Sequence, residues 1–380
     1  MKIAYVYQSD PKDVGAWSGT PFYMVDALRA QGHEVTLIGP LNVPYQPIFK
    51  TYRRALNWFG KHYDFNRHPW VAKSYAAQAK SEIDKGDFDI VVSPSSIPVA
   101  YLDVDIPIAI WTDATFDGMV GFYPGNWEQL TQTALRHGHA LEQRALTNVT
   151  YACYSSDWAA QSARNNYDVD TSKVNVVPFG ANLTEVPSRE EVSDAIESRG
   201  TDECRFLLLG VDWHRKGGDL VLQTAELLRN GGINVHVDVV GCFPPYTAPN
   251  YVTCHGFVSK ASIEGRDILK RLMRQNHFLF VPSQAECYGL VFAEASAYGL
   301  PSISRDIGGI SSVIHNGVNG LILASHAKAP DYADAIKLIF SASEQYRKLC
   351  YSSFECYESE LNWRHAIKDF ARQFELQKNL

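Results

Sequence analysis

Two glutamates eight residues apart, Glu286 and Glu294, flank Gly289 in the segment ECYGLVFAE. The apolar run Phe278 to Val281 upstream reads as a strand, so Gly289 is expected to open a helix through Val291, Glu294 and Ala295. Such a helix start turns free N–H groups and a positive dipole end towards an anion, and a carboxylate about one turn further in accepts hydrogen bonds from a ribose diol. The pattern suits a nucleoside diphosphate. Taken alone, it equally describes a solvated helical Glu294 and an approach residue, Glu286, stabilised by the dipole. A second segment, GVDWHRKGGD at 210–219, follows the apolar run Phe206 to Leu209. Arg215 and Lys216 would neutralise a diphosphate leaving group, Gly217 and Gly218 would admit its close approach, and Asp219 is expected to cap the next helix. A solvated basic turn has the same composition. In YGLPSISRDIGGISSVIHNGVNG, Gly308 and Gly309 read as positions of positive φ or close approach, whereas Gly317 and Gly320 read as loop punctuation.

Other acids and a histidine are weaker candidates. Asp113 ends the run IAIWTD, where it would either bond an acceptor or donor hydroxyl or cap the following segment, the cap being preferred. Asp103 and Asp105 read as a solvated turn, so no metal is assigned, and His214 reads as neutral and solvent-facing.

These residues must be carried by elements. Ile3 to Tyr7 reads as a strand, followed by a loop with Gly15 and Gly19, a helix from about Pro21 to Gln31 and a strand from Val35 to Ile38. The order recurs as strand 206–209, loop 210–218, helix 219–230, a stop at Gly231 and Gly232, and strand 235–240. Runs at Ile90–Val92, Ile106–Trp111 and Tyr151–Tyr154 continue one parallel sheet, and 278–281 and 302–304 the other. Two doubly wound α/β domains are predicted, with the change-over near 176–188, where Pro178, Gly180 and Pro187 break regular structure.

In this order and spacing the motifs resemble the retaining glycosyltransferases of family 4, which have the GT-B fold of two facing Rossmann-like domains. The resemblance is strongest over 206–323 and extends to GAWSGTPFYMVDALRAQGHEV and to the last segment, LNWRHAIKDFARQFELQ, which looks like the family's crossing helix. It implies an acceptor-side domain over 1–184, joined by helix 363–380, and a nucleotide-sugar domain over 185–362. It gives Lys216 and Glu286 catalytic roles, to which the adjacent Arg215 is added as a cation for the leaving group, and Gly19, Val258, Gly289, Leu290 and Glu294 the donor, with the base docked on HGFVSK at 255–260. Thr20 and Asp113 fall on the acceptor or sugar side. Two departures stand out: Val211 replaces an arginine common in the family, whose charge Arg215 is expected to supply, and Thr112 replaces a histidine before Asp113. The implied activity is hexosyl transfer from a nucleotide-diphosphate sugar, itself a substrate, to a glycan or lipid-linked acceptor, with no further cofactor. A sugar-nucleotide epimerase of the same fold and a weakened nucleotide-sugar-binding protein are the alternatives.

Composition bounds the rest. The chain has 380 residues, 46% hydrophobic and 20% charged, enough for two cores. A net charge of -7 disfavours bulk nucleic-acid binding, and seven scattered cysteines without a C-x-x-C pair suit a reducing compartment. With no signal-like start or spanning stretch, a cytoplasmic protein is expected. Residues 45–81 hold seven Lys or Arg and nine aromatics against one acid, Asp64. That segment reads either as a peripheral membrane contact or as helices packed on the sheet with a solvated basic face.

Overall fold

The computed structural model describes residues 1–378; residues 379 and 380, part of the expected crossing helix, lie outside the described residues. The chain divides into two compact units, Met1–Pro178 with the chain from Ala366 onward, and Phe179–His365. The first unit places β1 (Lys2–Val6), β2 (Glu34–Ile38), β3 (Ile90–Ser93), β4 (Ile108–Thr112), β5 (Tyr151–Tyr154) and β6 (Val174–Val176) in the order β2-β1-β3-β4-β5-β6. Its helices are α1 (Thr20–Ala30), α2 (Gln46–Trp58), α3 (Pro69–Ile83), α4 (Phe116–Met119), α5 (Gln132–Asn148) and α6 (Asp157–Asn166). The second orders β7 (Cys204–Leu209), β8 (Val235–Val240), β9 (Val252–Cys254), β10 (Phe278–Phe280), β11 (Ser302–Arg305) and β12 (Gly320–Leu323) as β12-β11-β10-β7-β8-β9. Around it run α7 (Arg189–Ser198), α8 (Gly218–Asn230), α9 (Ile263–Gln275), α10 (Leu290–Ser296), α11 (Ala329–Phe340) and α12 (Ser343–Ser359). The last helix, α13 (Trp363–Lys378), begins in the second unit and continues in the first.

All pairings within the two sheets are parallel. Central strands are therefore covered on both faces and can be continuously apolar: β3, β4 and β5 are buried at every position. The strands absent from the sequence-based expectation, β6, β9 and β12, are three or four residues long and lie at sheet edges. Short VNV and VTC runs lack the apolar continuity of a buried strand. Gly320 is more than punctuation. A Cβ there would sit 2.1 Å from the Ser302 carbonyl oxygen, so the glycine lets β12 close on β11.

Strand order reverses between β1 and β3 in the first sheet and between β7 and β10 in the second. Loops after those strands therefore diverge above the sheet and leave a crevice at its carboxyl edge. The chain's two crossings between units pack side by side within the second. Ala181 N donates to Leu361 O (2.9 Å), Trp363 Nε1 donates to Asn182 Oδ1 (2.9 Å), and a Cβ on Gly180 would strike Trp363 N at 2.1 Å. In the first unit, Phe370 of α13 stacks on Trp111 of β4 at 4.9 Å and 11°.

Candidate functional site

In the second unit the crevice lies between the loop after β7 (210–217) and the loop after β10 (281–289), the two loops that bracket the switch point. The first loop is compact for local reasons. Gly217 adopts φ +76° as the cap of α8, against the Pro282 carbonyl, and a Cβ on Gly210 would collide with the Lys216 stem at 2.5 Å. Lys216 is thus laid across Gly210 and is only 7% exposed. Its Nζ forms a short ion pair with Glu286 Oε2, which also accepts from Arg215 Nη1 at 3.4 Å and Ser283 Oγ at 3.3 Å. Arg215 Nη1 further donates to the Ala285 carbonyl (3.0 Å), and Gln284 N donates to Arg215 O (2.7 Å), lacing the loops together. Burial pushes the Glu286 carboxyl upward, but Lys216 and then Arg215 outweigh it and hold it below the ordinary range.

Gly289 caps α10 at φ +91°, where a Cβ would meet the Phe292 ring at 2.5 Å and Glu286 Cγ at 3.3 Å. Leu290 opens the helix and is partly exposed, while Glu294 one turn on is buried. Lys260 Nζ bonds to Glu294 Oε1, yet burial prevails and raises that carboxyl above its usual value. Val258 lies in the same 255–260 segment as Lys260 and is partly exposed. The two glutamates of one motif are therefore electrostatically opposite: one is held ionised by two cations, the other is biased towards its neutral form.

The first unit places Gly19 at the end of the loop after β1, with Trp17, Ser18 and Gly19 all left-handed at φ +47°, +54° and +81°. Gly19 caps α1, and Thr20, fully buried, donates through Oγ1 to the Trp17 carbonyl at 2.9 Å. Trp17 Nε1 donates to Asp113 Oδ2 at 3.0 Å, so the loop after β1 reaches the end of β4. Gly19, Thr20 and Asp113 share this one arrangement; the other candidate residues belong to the second unit.

Two motif expectations are corrected. Asp219 does not cap α8: Gly217 does, and Asp219 Oδ1 instead accepts from Trp213 Nε1 (2.9 Å) and Tyr246 OH (2.8 Å). Asp113 does not cap α4 either, because Thr115 takes that place by accepting from Gly118 N. Asp103 and Asp105 are exposed and precede β4, at the edge of the sheet opposite the strand ends. Val211 is exposed at 68%, and Arg215 is the guanidinium that the loop turns to Glu286.

Residues 203–341 match the family description "Glycosyl transferases group 1", and residues 22–185 match "Glycosyltransferase Family 4". The chain belongs to the family-4 glycosyltransferases. A curated member, D-inositol 3-phosphate glycosyltransferase of Rhodococcus erythropolis, is 26% identical over 219 residues, 54% of this chain and 49% of its own. The chain thus spans about half the length of the curated glycosyltransferases it matches. Among solved structures, sucrose-phosphate synthase from Thermosynechococcus elongatus superposes with a TM-score of 0.69 at 17% identity, covering 100% of this chain and 99% of the other. Anabaena HepE in complex with UDP and glucose gives 0.63 at 16%, covering 99% of each. With two parallel six-stranded sheets, this family-4 chain has the GT-B fold. Lys260, Ser283 and Trp17 are site-adjacent residues that motif spacing does not single out: the partners of Lys260 and Trp17 lie on distant segments, and Ser283, which donates to Glu286, itself lies outside the paired-glutamate motif.

Proposed function

We propose that the protein transfers a hexosyl group from a nucleoside-diphosphate sugar to a hydroxyl of a glycan or lipid-linked acceptor, with retention of configuration. The observation that carries this reading is the buried Lys216–Glu286 pair at the switch point of the second sheet, with Arg215 on the same carboxylate. Two cations on one short loop suit a diphosphate, and the shared carboxylate keeps them from standing unpaired before it binds. In this reading Lys216 and Arg215 take the phosphates, Glu286 accepts from a sugar hydroxyl, and Gly289 and Leu290 supply backbone contacts. Glu294 holds the ribose, Val258 the base through its backbone, and Gly19 faces the phosphates. Thr20 and Asp113 are assigned to the acceptor or sugar side.

The C1–O bond to the diphosphate lengthens into an oxocarbenium-like state while Lys216 and Arg215 absorb the charge that develops on the leaving group. The acceptor oxygen bonds to C1 on the face the diphosphate leaves, and its proton passes to the departing phosphate oxygen. Glu286 is already held by Lys216 and Arg215, and Glu294 is bonded to Lys260 and biased towards its neutral form, which favours this route over a double displacement through a carboxylate nucleophile. The two cations perform the charge neutralisation, and the reading calls on no metal or further cofactor. Support for glycosyl transfer comes from the curated D-inositol 3-phosphate glycosyltransferases, and for the donor class from HepE, whose structures include complexes with UDP and with UDP-glucose.

The test is incubation with a panel of nucleotide sugars, starting with UDP-sugars, while following free nucleoside diphosphate and the anomeric form of any product. Transfer, or slow hydrolysis without an acceptor, is expected. An epimerised donor with no diphosphate release would overturn the reading, as would binding of every donor tested without turnover of any.

A further inference from the structure

The first unit carries a surface that the donor chemistry does not use. Helix α2 has no buried residue along its 13 positions. It rests on the unit by one edge only: Phe49 meets the Phe65 ring at 5.0 Å, Tyr52 touches Phe65 and Tyr63 edge-on, and Leu56 packs partly against the cluster of Tyr63, Phe116 and Leu130. Around the helix axis, Ile48, Tyr52, Ala55 and Phe59 fall within about 60° of arc, and this stripe faces solvent. Trp58 and Phe59 are 90% and 78% exposed, and Tyr45 and Ile48 are each 65% exposed. Arg53 and Arg54 lie about 130° from the centre of the stripe, one on each flank, Lys50 lies on the opposite side of the helix, Lys61 follows, and all four are exposed. No acid occurs in α2, although the chain as a whole carries -7.

We propose that α2 and the Trp58–Lys61 turn form a docking surface for an anionic bilayer, with the helix lying in the plane of the headgroups. The chemistry of the stripe favours lipid over protein. Tyrosine and tryptophan seat at the headgroup boundary, phenylalanine and isoleucine enter the acyl margin, and lysine and arginine on the flanks and polar side extend their stems to the phosphates. A second copy of the chain is a poorer occupant, because a two-fold contact through the stripe would cover the apolar side chains but offer no acid of the facing α2 to the cations on its flanks. The surface requires neither donor nor turnover, so it stands or falls separately from the transferase reading.

Flotation of the full chain with vesicles of phosphatidylcholine alone, and of phosphatidylcholine mixed with phosphatidylglycerol, tests it at low and at physiological salt. Binding to the anionic vesicles is expected, weakened by salt and largely absent on the neutral ones. The triple variant Lys50→Gln, Arg53→Gln, Arg54→Gln should lose about fivefold in partition coefficient per residue engaged. Trp58→Ser with Phe59→Ser should also weaken binding, while the far-UV spectrum and melting temperature of both variants stay near wild type. Quenching of tryptophan emission by lipids brominated near the headgroup, reduced in Trp58→Phe, reads the contact without relying on loss of binding. Failure of the unmutated protein to float with anionic vesicles at either salt would overturn the proposal. So would unchanged binding of the triple variant, or a dimer in solution that Trp58→Ser with Phe59→Ser dissolves while neither protein binds vesicles.

Discussion

Glu286 and Glu294 sit eight residues apart in one motif, yet their surroundings oppose each other, and this separates what their removal should do. Glu286 has its ionisation range lowered by Lys216 and Arg215 against the pull of burial, so its contribution to stability is present above the unfolded value near 4.3 and is lost as pH falls through the folded value. Glu294 is raised by burial, so its folded form favours the proton and its ionisation costs stability as pH rises past the unfolded value. Glu286→Gln should therefore lower both melting temperature and turnover. Glu294→Gln should leave melting at pH 7 unchanged or raise it, while raising the donor KM through the weakened ribose bond. Equal, small effects on kinetics from both would make the pair structural. Lys216→Ala should lower kcat more than tenfold if it stabilises the departing diphosphate, and Arg215→Ala should follow it; near-normal turnover in the Arg215 variant would return that residue to a loop-lacing role through Ala285 O. Steady-state kinetics and thermal melts check these together. At this scale the motif was legible because Glu286, Gly289 and Glu294 act over short spacing. Lys260 and Trp17 were not singled out, because nothing in their local spacing announces partners 34 and 96 positions away.

The elements follow their local codes where burial is two-sided and lose them at the margins. Tyr151–Tyr154 was readable to the residue because an inner parallel strand can be continuously apolar, and Val235–Val240 because valine recurs at alternate positions, whereas the three-residue edges β6 and β9 depend on a neighbour for their definition. Helix starts were readable to within a residue, but the capping residues at α8 and α4 were not. An aspartate and a left-handed glycine compete for one position at α8, and Gly217 wins because the chain must turn beneath Pro282. Between strands, buried Asp238 of β8 accepts from Arg205 of β7 (3.0 Å), from Asn276 ahead of β10 (3.1 Å) and from the Nε2–H of His255 after β9 (2.7 Å). Burial raises its carboxyl, but bonds from His236, His255 and Asn276, then the charge of Arg205, more than reverse this and hold it well below the usual range. Its stabilising contribution is therefore complete above the unfolded value near 3.9 and declines as pH falls towards the folded one. Asp238→Ala should cost about 2 kcal/mol or more at neutral pH and much less in strong acid. Denaturant melts at several pH values check the sign; a loss that grows on acidification would refute the assignment.

For the molecule as a whole, α13 closes the core of the first unit from the far end of the chain: Phe370 is buried, stacks on Trp111 and meets Tyr151 edge-on, and Gln373 accepts from the Tyr151 hydroxyl. Phe370→Ala should cost about 3–5 kcal/mol, felt by the first unit. Where the two units unfold in separate transitions, only one midpoint should move, and hydrogen exchange should localise the loss to β4 and β5; an even loss across both sheets would count against it. The change-over near 178 was legible from its prolines and glycine, but the contact that makes Gly180 necessary, against Trp363 N, joins segments too far apart for any local pattern to register. The same division orders events on the ribosome. Phe179–His365 is one continuous stretch, whereas the first unit needs the chain from Ala366 onward to cover Trp111. At about 5–20 residues per second, the nascent first unit waits roughly ten to forty seconds with that face uncovered while its successor is synthesised whole. The unit made first is thus finished last, and it is the one whose apolar face stays open longest during synthesis.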